Sequence, residues 1–153
     1  MLPIDAIRSD YADTLGFINK CDDHIFKVRN WALVTSSAVI AFAISKDKDA
    51  IVLVNLALLP AFLYLELIYK SFQDSAIKHT TELSERIDAY LTDPAAEAVL
   101  AGYRHGFGRK LEYPSVKRVF RILLNRSRWH ILNFYSLLLI VSLGALAVGA
   151  LVD

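Results

Sequence analysis

The feature that most constrains this chain is an uncharged run of twenty-two residues, "ILNFYSLLLIVSLGALAVGALV", at positions 131–152. A helix needs about 20 apolar residues to cross the hydrocarbon core of a bilayer. Two shorter uncharged windows, 30–45 and 50–65, lie upstream, and the charged residues are crowded between the windows. The hydrophobic content of 55% also exceeds the roughly 45–50% of soluble domains. The sequence therefore predicts an all-α membrane protein with three transmembrane helices.

The charge distribution divides the chain into four predicted parts. Residues 1–29 are expected to form a cytoplasmic amphipathic helix, and residues 30–69 a transmembrane helical hairpin. Residues 70–130 are predicted to be a cytoplasmic helical sensor region, and residues 131–153 contain the third transmembrane helix. The pair Asp93 and Pro94 predicts the start of a short helix within the sensor region, because proline suits the first turn.

The orientation follows from the basic residues, since Lys and Arg near the spans stay on the cytoplasmic side. Residues 70–130 contain eleven Lys and Arg, whereas the hairpin loop has two, balanced by two aspartates. We therefore expect the N-terminus and residues 70–130 on the cytoplasmic side, and the hairpin loop and the C-terminus outside.

Two heptad-like seams are predicted on either side of the hairpin. Apolar or small residues alternate at steps of three and four before the first span: Ile4, Ile7, Tyr11, Thr14, Ile18, Cys21, Ile25 and Val28. A matching seam leaves the second span: Phe72, Ala76, Thr80, Leu83, Ile87, and Tyr90 or Leu91. Such spacing predicts helices that pair along one face, either within one subunit or between subunits. The charged residues between the seam positions, Asp10 among them, are expected to face solvent.

The region from Arg104 to His130 is the most polarised part of the chain, with eight Lys and Arg and a single acid, Glu112. A stripe after Pro114 predicts a basic amphipathic helix at the membrane surface: Val116, Val119, Phe120, Leu123 and Leu124. Attraction to anionic headgroups explains such a cluster without any ligand. The alternative is a nucleotide or single-stranded oligonucleotide, because aromatic rings that can stack on bases lie among cations that can hold phosphate. The candidate ligand-binding residues are Tyr103, Arg104, His105, Arg109, Lys110, Arg118 and Arg121.

Four residues of the spans are candidates for a pore. Glu66 is the only acid inside an apolar run, and an intramembrane carboxylate suggests function, such as a ring that attracts cations. The alternative is that Glu66 reaches the interface or pairs with Lys70 at i+4. Asn55, Ser142 and Gly149 are polar or small, and each suits either pore lining or close helix packing.

No sequence pattern predicts catalysis, a cofactor or a metal. The four histidines fall in different predicted elements, without a serine or cysteine nucleophile motif, and no Cys/His spacing suggests zinc. We therefore do not expect an enzyme. The single cysteine, Cys21, is expected to be a core residue rather than a reactive thiol, because no fixed cation is evident beside it.

Residues 22–91 contain "RNWALVTSSAVIAFAI", a short polar loop, an apolar run with proline, and "LELIYKSFQDSAIKHTTELSERI". In these stretches the chain resembles the small two-span membrane effectors of bacterial antiviral defence, the SLATT-type domains and the membrane partner of the Hailong system. The resemblance implies a homo-oligomeric effector of the bacterial inner membrane that responds to a nucleotide signal. In the Hailong type, a partner nucleotidyltransferase would make a DNA-like oligonucleotide that holds the channel shut. The third span departs from the two-span pattern.

Two functional hypotheses follow. The first is a homo-oligomeric, ion-conducting pore in the lipid bilayer, gated by a cytoplasmic nucleotide or oligonucleotide during anti-phage defence. The second is a non-conducting membrane anchor or scaffold that recruits a cytoplasmic partner through its helical seams.

Overall fold

The computed structural model describes residues 3–46, 50–93, 103, 114–124 and 128–152. These residues form four helices: α1 (Pro3–Lys46), α2 (Ala50–Thr92), α3 (Val116–Leu123) and α4 (Trp129–Val152). Across these ranges there is no strand, so the predicted all-helical architecture is confirmed. The short helix predicted after Pro94 lies outside the described residues.

Helices α1 and α2 are unusually long, at 44 and 43 residues. Helix α1 continues without a break from a charged segment into an apolar one, and α2 from an apolar segment into a charged one, as the sequence predicts. Near the end of α2, the amide of Asp93 still donates to the carbonyl of Ala89 at 3.1 Å.

Among the described residues, three helices are long and apolar enough to cross a membrane: Ile4–Lys46, Ala50–Thr92 and Trp129–Val148. Their hydropathic windows also leave much apolar surface exposed, with only 22–28% of each window buried inside the chain. Large exposed apolar surfaces mark a site of contact with another protein or with lipid. These helices are consistent with the predicted membrane location.

The chain divides into two compact units, and the first comprises Met1–Asp23 and Lys70–Pro114. Its core contains Ile4, Ile7 and Leu83, against which Tyr11, Ile87, Tyr90 and Tyr103 pack. Residues from both predicted seams therefore meet within one subunit. This is the first of the two pairings that the sequence leaves open.

Asp10 is an exception to the predicted pattern in the first unit. The spacing places this residue among the solvated charges, but only 5% of it is exposed. It lies three positions after Ile7 and four before Thr14, which is the spacing of a second buried position on the same helical face. The prediction of a solvent-facing Asp10 is therefore wrong.

The second unit comprises His24–Tyr69 and Ser115–Asp153. Its core joins residues of all four helices, listed here in chain order: Ala32, Leu59, Leu67, Val119, Ile122, Ile131, Tyr135 and Leu138. Helix α3 begins after Ser115, whose carbonyl accepts the amides of Arg118 and Val119 at 2.8 and 3.0 Å.

The prediction that the apolar stripe on α3 lies at the membrane surface is partly wrong. Val119 is 1% exposed and Ile122 is 8% exposed, so these side chains pack inside the unit. Val116 and Leu124, at the two ends of the stripe, are 57% and 84% exposed. Because α3 ends at Leu123, Leu124 no longer follows the helical period. The Phe120 side chain lies outside the described residues.

Candidate functional site

Glu66 lies in α2 with its side chain completely buried, and it forms an ion pair with Arg29 of α1. Nε of Arg29 donates to both carboxylate oxygens at 3.0 Å, and Nη2 donates to Oε1 at 2.5 Å. The planar guanidinium fork matches the two oxygens of a carboxylate, which is why arginine is suited to such sites. The side chain of Arg29 remains 31% exposed, so only the negative partner is fully removed from solvent.

Tyr135 of α4 adds a third group to this site. Its hydroxyl donates to Oε2 of Glu66 at 3.1 Å. The neighbouring Phe134 ring lies 5.8 Å from the guanidinium carbon of Arg29, a distance at which the ring attracts a cation. Helices α1, α2 and α4 are therefore joined at one carboxylate. We refer to Arg29, Glu66 and Tyr135 as the Glu66 cluster.

Both simple alternatives for Glu66 are wrong. A side chain that reached the interface would be exposed, and this one is not. Lys70 donates instead to Oε1 of Gln73, and Nε2 of Gln73 donates to Oδ1 of Asp22 at 2.6 Å. The sequence contained no periodic signal for the Arg29 pairing, because the two residues are 37 positions apart.

A second set of buried polar side chains, Ser36, Asn55 and Ser142, joins the same three helices through a series of hydrogen bonds. We refer to this series as the Asn55 chain. The hydroxyl of Ser36 donates to Oδ1 of Asn55 at 3.0 Å, and Nδ2 of Asn55 donates to Oγ of Ser142 at 2.8 Å. Ser142 then donates to the carbonyl of Leu138 at 2.8 Å. All three side chains are at most 1% exposed. These contacts are interhelical hydrogen bonds, one of the two roles that the sequence allows for Asn55 and Ser142.

A third polar cluster lies in the first unit and was missed at the sequence level. Oδ2 of Asp10 lies 3.0 Å from Nε2 of His79, and the hydroxyl of Tyr103 donates to the same oxygen. The available signal was spacing, since His79 lies three positions after Ala76 and four before Leu83 on the buried face of α2. We refer to Asp10, His79 and Tyr103 as the Asp10 cluster.

Tyr103 is therefore held by a protein carboxylate, although it was predicted to bind an anion. Burial, together with the hydrogen bond to Asp10, raises the pKa of the Tyr103 hydroxyl well above its ordinary value. A neutral hydroxyl is favoured here because its ionised form would be desolvated and would face a negative charge. At neutral pH Tyr103 acts as a hydrogen-bond donor.

The other predicted ligand-binding residues are only partly described. Arg104, His105, Arg109 and Lys110 lie outside the described residues. Arg118 and Arg121 are exposed on α3. Of the pore candidates, Gly149 lies within α4. Its exposure and contacts are not among the features that the structure describes.

Within the described part of the chain, no group of three or more His, Cys, Asp or Glu side chains could hold a metal ion. Comparison with protein-family models, curated proteins and solved structures finds no match to this chain. The resemblance to SLATT-type and Hailong effectors stays a prediction.

Proposed function

We propose that this protein is a gated, homo-oligomeric, ion-conducting effector of the bacterial inner membrane. The observation that carries the proposal is the fully buried Glu66 carboxylate, paired with Arg29 between helices long enough to span a bilayer. A charge within a membrane is costly, and where such charges occur they commonly mark ion pathways.

The Glu66 cluster suits a closed state. While Arg29 and Tyr135 occupy the carboxylate, its charge is neutralised and its oxygens are unavailable to a passing ion. Separation of Arg29 from Glu66 would leave a carboxylate that attracts cations in a medium of low dielectric constant. Opening is therefore proposed to require separation of this ion pair.

The proposed signal is a cytoplasmic nucleotide or single-stranded oligonucleotide, made by a partner nucleotidyltransferase during anti-phage defence. Its support is the resemblance to SLATT-type effectors and the sequence of residues 103–113, in which aromatic side chains are interspersed with basic ones. Helices α1 and α2 each contain residues of both units, which offers a covalent route for a signal.

The test is ion flux through liposomes that contain the purified protein. Arg29→Gln should raise cation flux without ligand, because the Glu66 carboxylate loses its charged partner. Arg29→Gln combined with Glu66→Gln should reduce the preference for cations over anions. Asn133→Ala, at an exposed position of α4, is the matched control and should behave as the wild type. Absence of flux from every variant, with and without oligonucleotide, would contradict the proposal.

A non-conducting anchor or scaffold is the second candidate, and the Asn55 chain favours it. Three pore candidates, Glu66, Asn55 and Ser142, are engaged inside a single chain, which is what purely structural spans would show. Recruitment through the seams is less favoured, because Leu83 is 1% exposed and already packs within the chain. A scaffold would instead present exposed apolar residues of the first unit, such as Leu15 and Ile77. It predicts no flux and loss of a co-purifying protein on Ile77→Ser.

A further inference from the structure

Helix α3 presents a basic surface. Lys117, Arg118 and Arg121 are all exposed. The sequence between Pro114 and His130 contains no acid, so this stretch has a net positive charge. Such a surface attracts anions at distances set by the ionic strength.

Large apolar side chains flank these cations. Val116 is 57% exposed and Leu124 is 84% exposed, while Trp129 at the start of α4 is 57% exposed. Exposure of three large apolar groups beside a cationic cluster is unfavourable in water. The same combination is favourable at the boundary between lipid headgroups and acyl chains, where basic, aliphatic and aromatic side chains each find a suitable environment.

The opposite face of α3 fixes how this surface is presented. Val119 and Ile122 are buried in the core of the second unit, together with Ile131 and Leu138 of α4. The exposed face is therefore held on the unit that contains α4, a helix apolar enough to cross a membrane. A bilayer that surrounds α4 is continuous with a surface that α3 can contact.

We infer that the exposed face of α3, together with Trp129, binds the surface of a bilayer that contains anionic lipids. Lys117, Arg118 and Arg121 contact lipid phosphates, and the apolar side chains enter the headgroup boundary. An oligonucleotide uses the same cations but gains nothing from an exposed Leu124, so the lipid surface fits better. The inference is independent of ion conduction.

The test uses the full-length protein in vesicles and follows the fluorescence of Trp129. Because the chain has two tryptophans, Trp31→Phe leaves Trp129 as the only tryptophan, which is excited selectively at the red edge of its absorption band. Two vesicle preparations are compared: brominated phosphatidylglycerol with unlabelled phosphatidylcholine, and brominated phosphatidylcholine with unlabelled phosphatidylglycerol. Bromine quenches tryptophan fluorescence, so the quenching of Trp129 in the two preparations gives the relative affinity of the two lipids for the surface beside it. We expect a preference of about fivefold for the anionic lipid, which is what one basic side chain contributes at such a surface. The preference should vanish near 1 M salt, where screening acts within about 3 Å.

The control separates local from overall charge. Changing Lys117, Arg118 and Arg121 together to Gln should abolish the preference. Changing the exposed Arg8, Lys20 and Lys27 together to Gln removes the same charge and should leave the preference intact. Equal quenching by both lipids, persistence of the preference in the α3 variant, or its loss in both variants would overturn the inference. Binding of labelled single-stranded DNA in neutral vesicles that is lost only in the α3 variant, without any lipid preference, would overturn it in favour of nucleic acid.

Discussion

Arg29 and Glu66 lie 37 positions apart, and the guanidinium holds the buried carboxylate through three contacts of 2.5 to 3.0 Å. The two partners differ in exposure, at 31% for the Arg29 side chain and 0% for Glu66. Loss of Arg29 would leave the buried Glu66 carboxylate without a charged partner. Loss of Glu66 would leave an arginine whose side chain is already partly exposed. The pair is therefore asymmetric in what its disruption costs.

The first prediction concerns this asymmetry. Arg29→Gln should lower the free energy of unfolding by about 2–3 kcal/mol, less than the 3–5 kcal/mol typical of a fully buried pair, because Arg29 is partly exposed. Glu66→Gln should cost less, and the double variant should cost less than the sum of the two changes. Reversible unfolding in detergent micelles measures all three. Equal costs for the two single variants would contradict the asymmetry.

The second prediction concerns Tyr135. Tyr135→Phe removes the hydroxyl that donates to Glu66 and should destabilise the protein by about 1–2 kcal/mol, because a hydrogen bond to a charged group is lost. Tyr64→Phe is the matched control, since Tyr64 of α2 is 43% exposed. A shift in the midpoint of thermal unfolding for the first variant alone is expected. Equal shifts would show that the hydroxyl of Tyr135 contributes nothing specific.

The third prediction concerns the Asn55 chain. Asn55→Ala removes both hydrogen bonds that this amide makes to Ser36 and Ser142. Interhelical hydrogen bonds in membranes average about 0.6 kcal/mol, so a loss of about 1 kcal/mol is expected. Asn133→Ala, at an exposed position, should lie within error of the wild type. A double-mutant cycle with Ser142→Ala should give a coupling energy, and zero coupling would rule out the contact.

The fourth prediction concerns pH and the Asp10 cluster. The pKa of Tyr103 is raised in the folded protein, so its contribution to stability is complete below the ordinary tyrosine pKa of about 10 and is lost as the pH rises above it. The wild type should therefore lose stability more steeply above about pH 10 than Tyr103→Phe does. Tyr90→Phe, from the same apolar cluster, should retain the wild-type slope. Parallel curves for wild type and Tyr103→Phe would contradict this linkage.

The fifth prediction concerns the single thiol. Burial raises the pKa of Cys21, with a smaller contribution from Asp22, and Cys21 is 2% exposed. Because the thiolate is the reactive form, alkylation at pH 8 should be about 100-fold slower or more in the folded protein than in the unfolded chain. Mass spectrometry of maleimide-treated protein measures the rate, with Cys21→Ser as the unlabelled control. Rapid labelling of folded protein would show that this part of α1 opens readily.

The periodicity of the sequence predicted much of the first unit. The steps of three and four placed Ile4, Ile7 and Leu83 on buried faces, because a helical period follows directly from local geometry. Asp10 and His79 also fit these steps, but Asp10 was predicted to face solvent and His79 was not placed in a seam, because a charged or polar residue between seam positions is usually solvated. A partner from a distant segment is what makes such a residue buried, and no local pattern encodes that partner.

The sequence by itself determined the class of this protein: long uncharged runs, heptad steps and the distribution of basic residues are local properties, and they predict all-helical spans with charged extensions. Only the tertiary structure decided the partners of the polar residues. Arg29 rather than Lys70 binds Glu66, Asn55 bridges Ser36 and Ser142, and Asp10 holds Tyr103. Helix formation depends on neighbours within four positions, whereas the pairing of buried charges depends on which helices pack together and at what register.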